Sequence, residues 1–308
     1  MPAMGNVGSV ISTEQKGSAR MALGTLFGGA VGIAFAPIFV RLSELGPSAT
    51  AFWRLALALP ALWLWMTIEG RGPQASRQPS CMSEYSRLIA AGLFFAADLA
   101  VWHWSITLTS VANATLLANF APVFVTLGAW WWFGQGVRMT FILGMVTALA
   151  GASILIGTSV HISLRNLLGD ALGLVTAVFY AGYILAVKEL RRDFSSVTVL
   201  LWSSLVSAIA LLPISGLSGE RLLASSSRGW LVLIGLALVS QVGGQGLITY
   251  ALAHLPAAFS SVGLLLQPAV AAALAWIILS EPVGLWQGLG GLVVLIGIAS
   301  ARSGTRSD

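Results

Sequence analysis

Ten stretches of about twenty predominantly apolar residues occupy most of this 308-residue chain, at positions 21–41, 47–68, 87–108, 111–133, 138–158, 169–190, 196–217, 229–253, 256–280 and 283–302. A bilayer core of about 30 Å requires about 20 such residues in helical form, because only a helix or a closed barrel satisfies every backbone group without water. The separators are short and carry breakers, as in Leu45-Gly46-Pro47 and Gly134-Gln135-Gly136. Charged residues make up 9% of the chain, against about 25% in a soluble domain. The pattern predicts an all-α integral membrane protein with ten transmembrane helices.

The chain also repeats itself. Shifted by 146 positions, Pro122 falls on Pro268, Ala129-Trp130 on Ala275-Trp276, and Gly144 and Gly151 on Gly290 and Gly297. Only nine of the 45 residues from 111 to 155 are identical to their counterparts, so the order of the landmarks carries the argument. Each copy runs from small residues to a proline in mid-helix, then to a tryptophan, a polar break and a helix with glycines seven apart. Five helices per copy is an odd number, so the copies must be inverted relative to each other. The expected layout is a tail at 1–20, a first five-helix repeat at 21–158, an external linker at 159–168, a second repeat at 169–302 and a tail at 303–308. Inverted repeats of this kind place a binding site near the bilayer midplane.

Orientation follows from the loop cations. With the N-terminus cytoplasmic, eleven Lys and Arg residues lie inside and four, Arg41, Arg165, Arg221 and Arg228, lie outside. Both termini are therefore expected in the cytoplasm of a multi-pass plasma membrane protein, the inner membrane in a bacterium. The formal charge of +5 comes from scattered arginines, which is no nucleic-acid footprint. One cysteine, Cys81, excludes an internal disulfide. No metal or cofactor site is expected from one Cys and three scattered His. Glycines at 24, 28 and 32 in the first helix, and at 284 and 288 in the tenth, allow close backbone approach.

The run Leu266-Gln267-Pro268 through Ser280-Glu281-Pro282, with Gly288 and Gly297 beyond it, resembles the ten-helix EamA family of the drug/metabolite transporter superfamily. So do Pro47 with residues 49–56 (ATAFWRLA), the step ITLTSVANATLL at 106–117 with its counterpart YALAHLPAAFSSV at 250–262, and Gly169-Asp170. The resemblance covers roughly residues 21–302. It implies export of small metabolites, often amino acids, through a central cavity lined by both halves. Gln135 stands where the second half has Glu281, so the acidic residue usual at this break in the family is missing from the first half.

Among residues that could carry chemistry, Asp98 sits near the centre of the third helix. A carboxylate there is costly unless it meets water or a partner. It could bind a substrate amine or a proton, pair with Arg54, or be protonated and bonded to a neighbouring helix. Trp102 shares its face at helical spacing, with His103 on an adjoining face. Asn119 in the fourth helix, Tyr180 and Tyr183 in the sixth, Gln241 and Gln245 in the eighth and Gln267 in the ninth complete the candidate substrate-binding set. Pro122 and Pro268 are candidate gating hinges. For each polar residue, bonding between helices is the structural alternative. Glycine-rich Gly288-Leu289-Gly290-Gly291 has no preceding strand, so it is no nucleotide loop. Without a carboxylate pair, P-loop or nucleophile elbow, an enzyme is not expected.

The leading expectation is thus a secondary transporter exporting small metabolites, neutral or aromatic amino acids first, by alternating access. A facilitative channel or uniporter for small amphipathic solutes is the alternative, as is another metabolite or drug class. Clustered cations for phosphorylated substrates are absent. Expected partners are the small-molecule substrate and the lipid bilayer, with proton coupling through Asp98 and a monomeric or weakly dimeric state.

Overall fold

A computed structural model describes residues 7–70, 77–109, 111–157, 166–280 and 284–305, with side chains from Arg20 onward except those of residues 103, 111 and 112. Among these residues ten helical spans are long and apolar enough to cross a membrane: Arg20–Leu42, Pro47–Glu69, Met82–Leu108, Asn113–Phe133, Met139–Gly157, Leu167–Leu190, Ser196–Leu217, Ser227–His254, Ala257–Leu279 and Leu285–Gly304. They are numbered here as spans 1 to 10. The first helix begins at Val7 rather than after Arg20, so the polar stretch expected as a loose tail is helical from that point. Span 3 starts at Met82, five residues before its apolar run, because Glu84 accepts the Ser80 amide and closes the first turn. Span 10 likewise reaches Gly304, two residues past the expected boundary.

Packing between the halves is reciprocal. Span 3 packs on spans 6 and 7, while span 8 packs on spans 1 and 2. Span 4 lies on span 6, and span 9 on span 1. Span 5 meets span 10. Exchanging the halves turns each of these pairings into its partner pairing and the 5–10 contact into itself, as two inverted five-helix repeats require.

The contact between spans 5 and 10 is made by the glycines seven apart. A Cβ added at Gly144 would stand 2.2 Å from the Ala301 nitrogen, and one at Gly297 2.3 Å from the Ala148 nitrogen. Without side chains the two backbones touch, and dispersion acts over their whole length. In span 1 the glycines divide. Gly32 lies against Gly244 of span 8, Gly28 only touches Leu247, and Gly24 has nothing within 4 Å. In span 10, Gly284 and Gly288 likewise have no close helix neighbour.

Ten spans place both chain ends on one face, the termini face. On the opposite, far face two loops hold each other's helices. Glu220 accepts the Ala49 amide at 2.9 Å and the Ser48 amide at 3.4 Å at the start of span 2. Glu44 accepts the Ser225 amide and the Ser225 and Ser226 hydroxyls just before span 8. Those serine donors hold the exposed Glu44 carboxyl at about 2, below its ordinary 4.5.

Candidate functional site

Spans 4 and 9 are each broken in the middle. Span 4 consists of Val111–Ala118 and Ala121–Phe133, and span 9 of Ala257–Gly263 and Leu266–Leu279. At both breaks the backbone tightens to i→i−3 bonds, from Phe120 to Leu117 and from Leu265 to Val262. Pro122 and Pro268 stand in the first turn after the break, where a missing N–H costs nothing. Each second segment therefore begins, with its positive end, inside the bundle.

The two ends of the bundle are packed differently. On the termini face, all seven residues of Ala257–Gly263 are buried, and this segment packs on Ala121–Phe133. On the far face, none of the residues of Leu266–Leu279 is buried. Val111–Ala118 and Leu266–Leu279, the far-face halves of spans 4 and 9, do not pack on each other to the extent that the termini-face halves do. Arg54, Asp98, Trp102, Asn119, Tyr180 and Gln267 all retain partial exposure inside the bundle.

In the middle of the bundle the ionisable groups of Arg54, Asp98, Tyr180 and Tyr183 lie in electrostatic reach of one another. An Asp98–Arg54 ion pair, one of the three alternatives for Asp98, does not form. Arg54 Nε instead donates to Gln241 Oε1 at 2.9 Å, and Gln241 Nε2 donates to Ser204 Oγ at 3.1 Å. Among the described residues Asp98 has no hydrogen bond and no ion pair. Asp98 and Arg54 thus lie in electrostatic reach of each other without contact. A buried carboxyl in this state is met by water, by a ligand or by a proton.

The remaining groups form an aromatic wall. Phe95 stacks on Tyr183 at 4.6 Å between centroids, and Tyr180 lies 6.4 Å beyond. Gln245 Nε2 donates to the Tyr183 hydroxyl at 3.2 Å. The Tyr180 hydroxyl lies beside the Gln267 amide, whose Nε2 is shielded and unpartnered among the described residues. Gln241 and Gln245 both sit in a π-helical segment, Leu236–Gln245. The wider π turn keeps residues four apart nearly in line, and such segments concentrate at functional sites. Gly244 supports it by lying directly on the backbone of span 1.

Of the sequence-derived candidates, the fold brings Asp98, Tyr180, Tyr183, Gln241, Gln245 and Gln267 together. Gln241 and Tyr183 are fully buried, so they hold other groups rather than face a solute. Asn119 donates one Nδ2 hydrogen to Thr115 O of its own helix, which leaves its second N–H and its Oδ1 for another partner. Trp102 is half-buried on the Asp98 face, with an interaction of its own. The side chain of His103 lies outside the described residues, as do Glu281 and Pro282. Ser204, which fixes Gln241, was not singled out in sequence. Its signal was the run Ser203, Ser204 and Ser207, all buried in an otherwise apolar span.

The family model of the EamA-like transporter family matches residues 20–157 and 167–302. The chain belongs to this family, and the two matched segments are its two repeats. It is 25% identical over 268 residues to an uncharacterized transporter of Archaeoglobus fulgidus, covering 85% of this chain and 90% of that one. It is 24% identical over 247 residues to the pseudopaline exporter CntI of Pseudomonas aeruginosa, covering 80% and 84%. A probable terminal-alkyne amino-acid exporter of Streptantibioticus cattleyicolor is 27% identical over 253 residues, covering 80% and 81%. A solved crystal structure superposes with a TM-score of 0.76 at 16% identity, covering 93% of this chain and 99% of the other, which establishes the shared fold. The protein is a multi-pass membrane transporter, and its named relatives are metabolite exporters.

Proposed function

We propose that this chain exports small zwitterionic metabolites of the amino-acid class, neutral or aromatic ones first, by alternating access. The observation that carries this is the separation of Asp98 from Arg54. The terminal nitrogens of Arg54 are free among the described residues while Nε is anchored on Gln241. They can bind a carboxylate as a fork. Asp98 is free to meet an ammonium, and the ring face of Tyr180 offers area and cation–π attraction. A solute carrying both charges neutralises the site, while a plain amine or acid leaves one charge uncompensated. The names of two relatives, an amino-acid exporter and a pseudopaline exporter, support the class.

With both termini cytoplasmic, as the loop cations suggest, a crevice between the far-face halves of spans 4 and 9 opens outward. Export then requires the termini-side segments Ala121–Phe133 and Ala257–Gly263 to part while the far side closes, with the breaks before Pro122 and Pro268 as hinges. Asp98 is the group available to take a proton on the return step. On this reading the protein performs no covalent chemistry.

Counterflow in proteoliposomes tests the proposal. Preloaded neutral amino acids should accelerate and saturate uptake of a labelled one, while their decarboxylated amines and deaminated acids should not. Equal acceleration by the amine, or flux that never saturates, overturns it.

A further inference from the structure

On the termini face two cations at the end of span 6 hold the end of span 8. Lys188 Nζ donates to Leu255 O at 3.1 Å, and Arg191 Nε donates to Thr249 O at 3.2 Å. Arg191 Nη1 also donates to Phe194 O, which ties the guanidinium to its own loop. Leu255 is the cap residue of span 8, and Pro256 and the buried segment Ala257–Gly263 follow it directly. Lys188 therefore grips the root of the segment that closes this face. A cation is favourable against the carbonyls at a helix C-terminus, where the peptide dipoles leave partial negative charge. The nearby carboxylates are not used. Glu189 pairs with Arg192, and Glu69 lies in electrostatic reach of Arg191 without an ion pair among the described residues.

At the corresponding positions the first half carries no cation. Counted back from the starts of spans 2 and 7, at Pro47 and Ser196, Lys188 and Arg191 correspond to Phe39 and Leu42. Leu255 corresponds to Thr109, the cap residue of span 3, 146 positions earlier. Thr109 and Ser105 are spent on the start of span 6, where their hydroxyls donate to Asp170 and to Gly169 O at 2.7 Å each. Arg41, the cation at that end of span 1, is exposed. Packing follows the same asymmetry. Span 6 packs on Gly246–His254 and on Ala257–Gly263, whereas neither span 3 nor Val111–Ala118 packs to that extent on span 1. The Glu44 clamp, by contrast, has an equivalent on the other face. Glu44 stands three residues before Pro47 and Asp193 three before Ser196, and Asp193 pairs with Arg87 of span 3 at 3.0 Å. A clamp present on both faces does not choose between them, and a grip present on one face does.

We infer, on the alternating-access reading, that Lys188 and Arg191 form a latch on the termini side, and that its presence in one half alone makes this side the closed one at rest. Parting of Ala257–Gly263 from Ala121–Phe133 carries Leu255 away from Lys188. The bonds to Leu255 and Thr249 are then made in the closed state and lost in the open one. A latch of this kind has to release in every cycle. Charged donors on carbonyls suit that need, because the released ammonium and guanidinium return to water. Parting a buried ion pair would strand two charges.

Cysteine accessibility in the purified full chain tests this. Ser261, 3% exposed in the closing segment, and Ser207, 0% exposed in span 7, are each replaced by cysteine in a Cys81→Ala background. Labelling of Ser261→Cys by a water-soluble maleimide follows the population in which the termini side is open. Lys188→Met should raise that rate about tenfold or more, because a hydrogen bond from a charged donor is lost from the closed state alone. Arg191→Gln should act in the same direction, and Lys188→Arg should keep labelling slow. Ser207→Cys should label at one rate in every variant. No solute is present, so the outcome stands apart from the counterflow result that decides the transported class. Unchanged labelling of Ser261→Cys in either Lys188→Met or Arg191→Gln overturns the latch. So does a parallel rise at Ser207→Cys, which would make the two cations general braces of the fold.

Discussion

Gly134 and Ser280, 146 positions apart, both end their spans in the left-handed conformation, at φ 64° and 55°. Their amides close on Ala129 and Ala275, which are also 146 apart. The duplication is therefore preserved in the backbone where the side chains have diverged. Among the described residues Ser280 is the only residue other than glycine with positive φ.

This gives paired substitutions of opposite sign. A Cβ costs about 1–2 kcal/mol in this conformation, and Gly134 has open space around it. Gly134→Ala should lower stability by about 1 kcal/mol through conformation alone. Ser280→Gly should leave stability unchanged or raise it by a few tenths of that, since relief of strain is offset by a more flexible unfolded chain. Thermal unfolding in detergent distinguishes the two directions.

The zipper between spans 5 and 10 provides a second contrast. Gly297→Val places carbon against the backbone of Ala148 and must separate the two helices, whereas Gly288→Val meets nothing within 4 Å. The first should cost 2 kcal/mol or more, in the manner of overpacking, about 1–3 kcal/mol for buried sites. The second should be close to neutral. Monodisperse yield on size exclusion, compared for the two variants, checks this.

Much of the fold was legible because span length and repeat both follow from the bilayer. Apart from the starts of the first and third helices, every span ends within two residues of its apolar run. The start of span 3 was missed because Glu84 and Ser80 form a polar first turn that hydropathy cannot see. The site was legible as a set of residue types and not as a set of bonds. Sequence located Asp98 and Arg54 as the two deep charges and left pairing between them as one of three alternatives. Which partner Arg54 takes depends on the π-helical turn that aims Gln241, and no residue pattern announces a π turn. Likewise no residue pattern says that Asn119 spends one of its two amide N–H groups on Thr115 O of its own helix.

Glu44 makes the far-face clamp sensitive to acid. Its folded value of about 2 lies below the ordinary 4.5. The clamp's contribution is therefore complete above about pH 4.5 and fades as pH falls towards 2. The stability difference between the native chain and Glu44→Gln should be largest at neutral pH and shrink below pH 4.5. Unfolding temperatures of both proteins across that range test it, and a difference independent of pH would show that the carboxylate charge is irrelevant.

Cys81 reports topology without engineering. It is the sole cysteine and is exposed, in the segment before span 3 on the termini face. With the termini cytoplasmic, a membrane-impermeant maleimide should leave it unlabelled in intact cells and label it after permeabilisation. Ser218→Cys in a Cys81→Ala background lies at the far end of span 7 and should behave oppositely. Labelling of native Cys81 in intact cells would invert the orientation, and with it the direction in which the crevice opens.

The chain Ser204–Gln241–Arg54 makes the sharpest prediction about specificity. If Arg54 receives the solute carboxylate, Arg54→Gln removes a charge-assisted hydrogen bond worth about 1.5–3 kcal/mol, or about 10–100-fold in the half-saturating concentration. Gln241→Leu keeps the charge but releases Nε from its 2.9 Å bond. It should cost about 1 kcal/mol and act on half-saturation more than on maximal rate. Gln241→Glu places a carboxylate on Arg54 and consumes its positive charge internally. That variant should lose discrimination against decarboxylated amines, because Asp98 is then the only charge left for the solute. Asp98→Asn should do the reverse, accepting the deaminated acid and rejecting the amine. Counterflow of one amino acid, its amine and its acid through these four variants provides the readout. If Gln241→Glu and Asp98→Asn shifted preference in the same direction, the two charges would not be reading opposite ends of one solute.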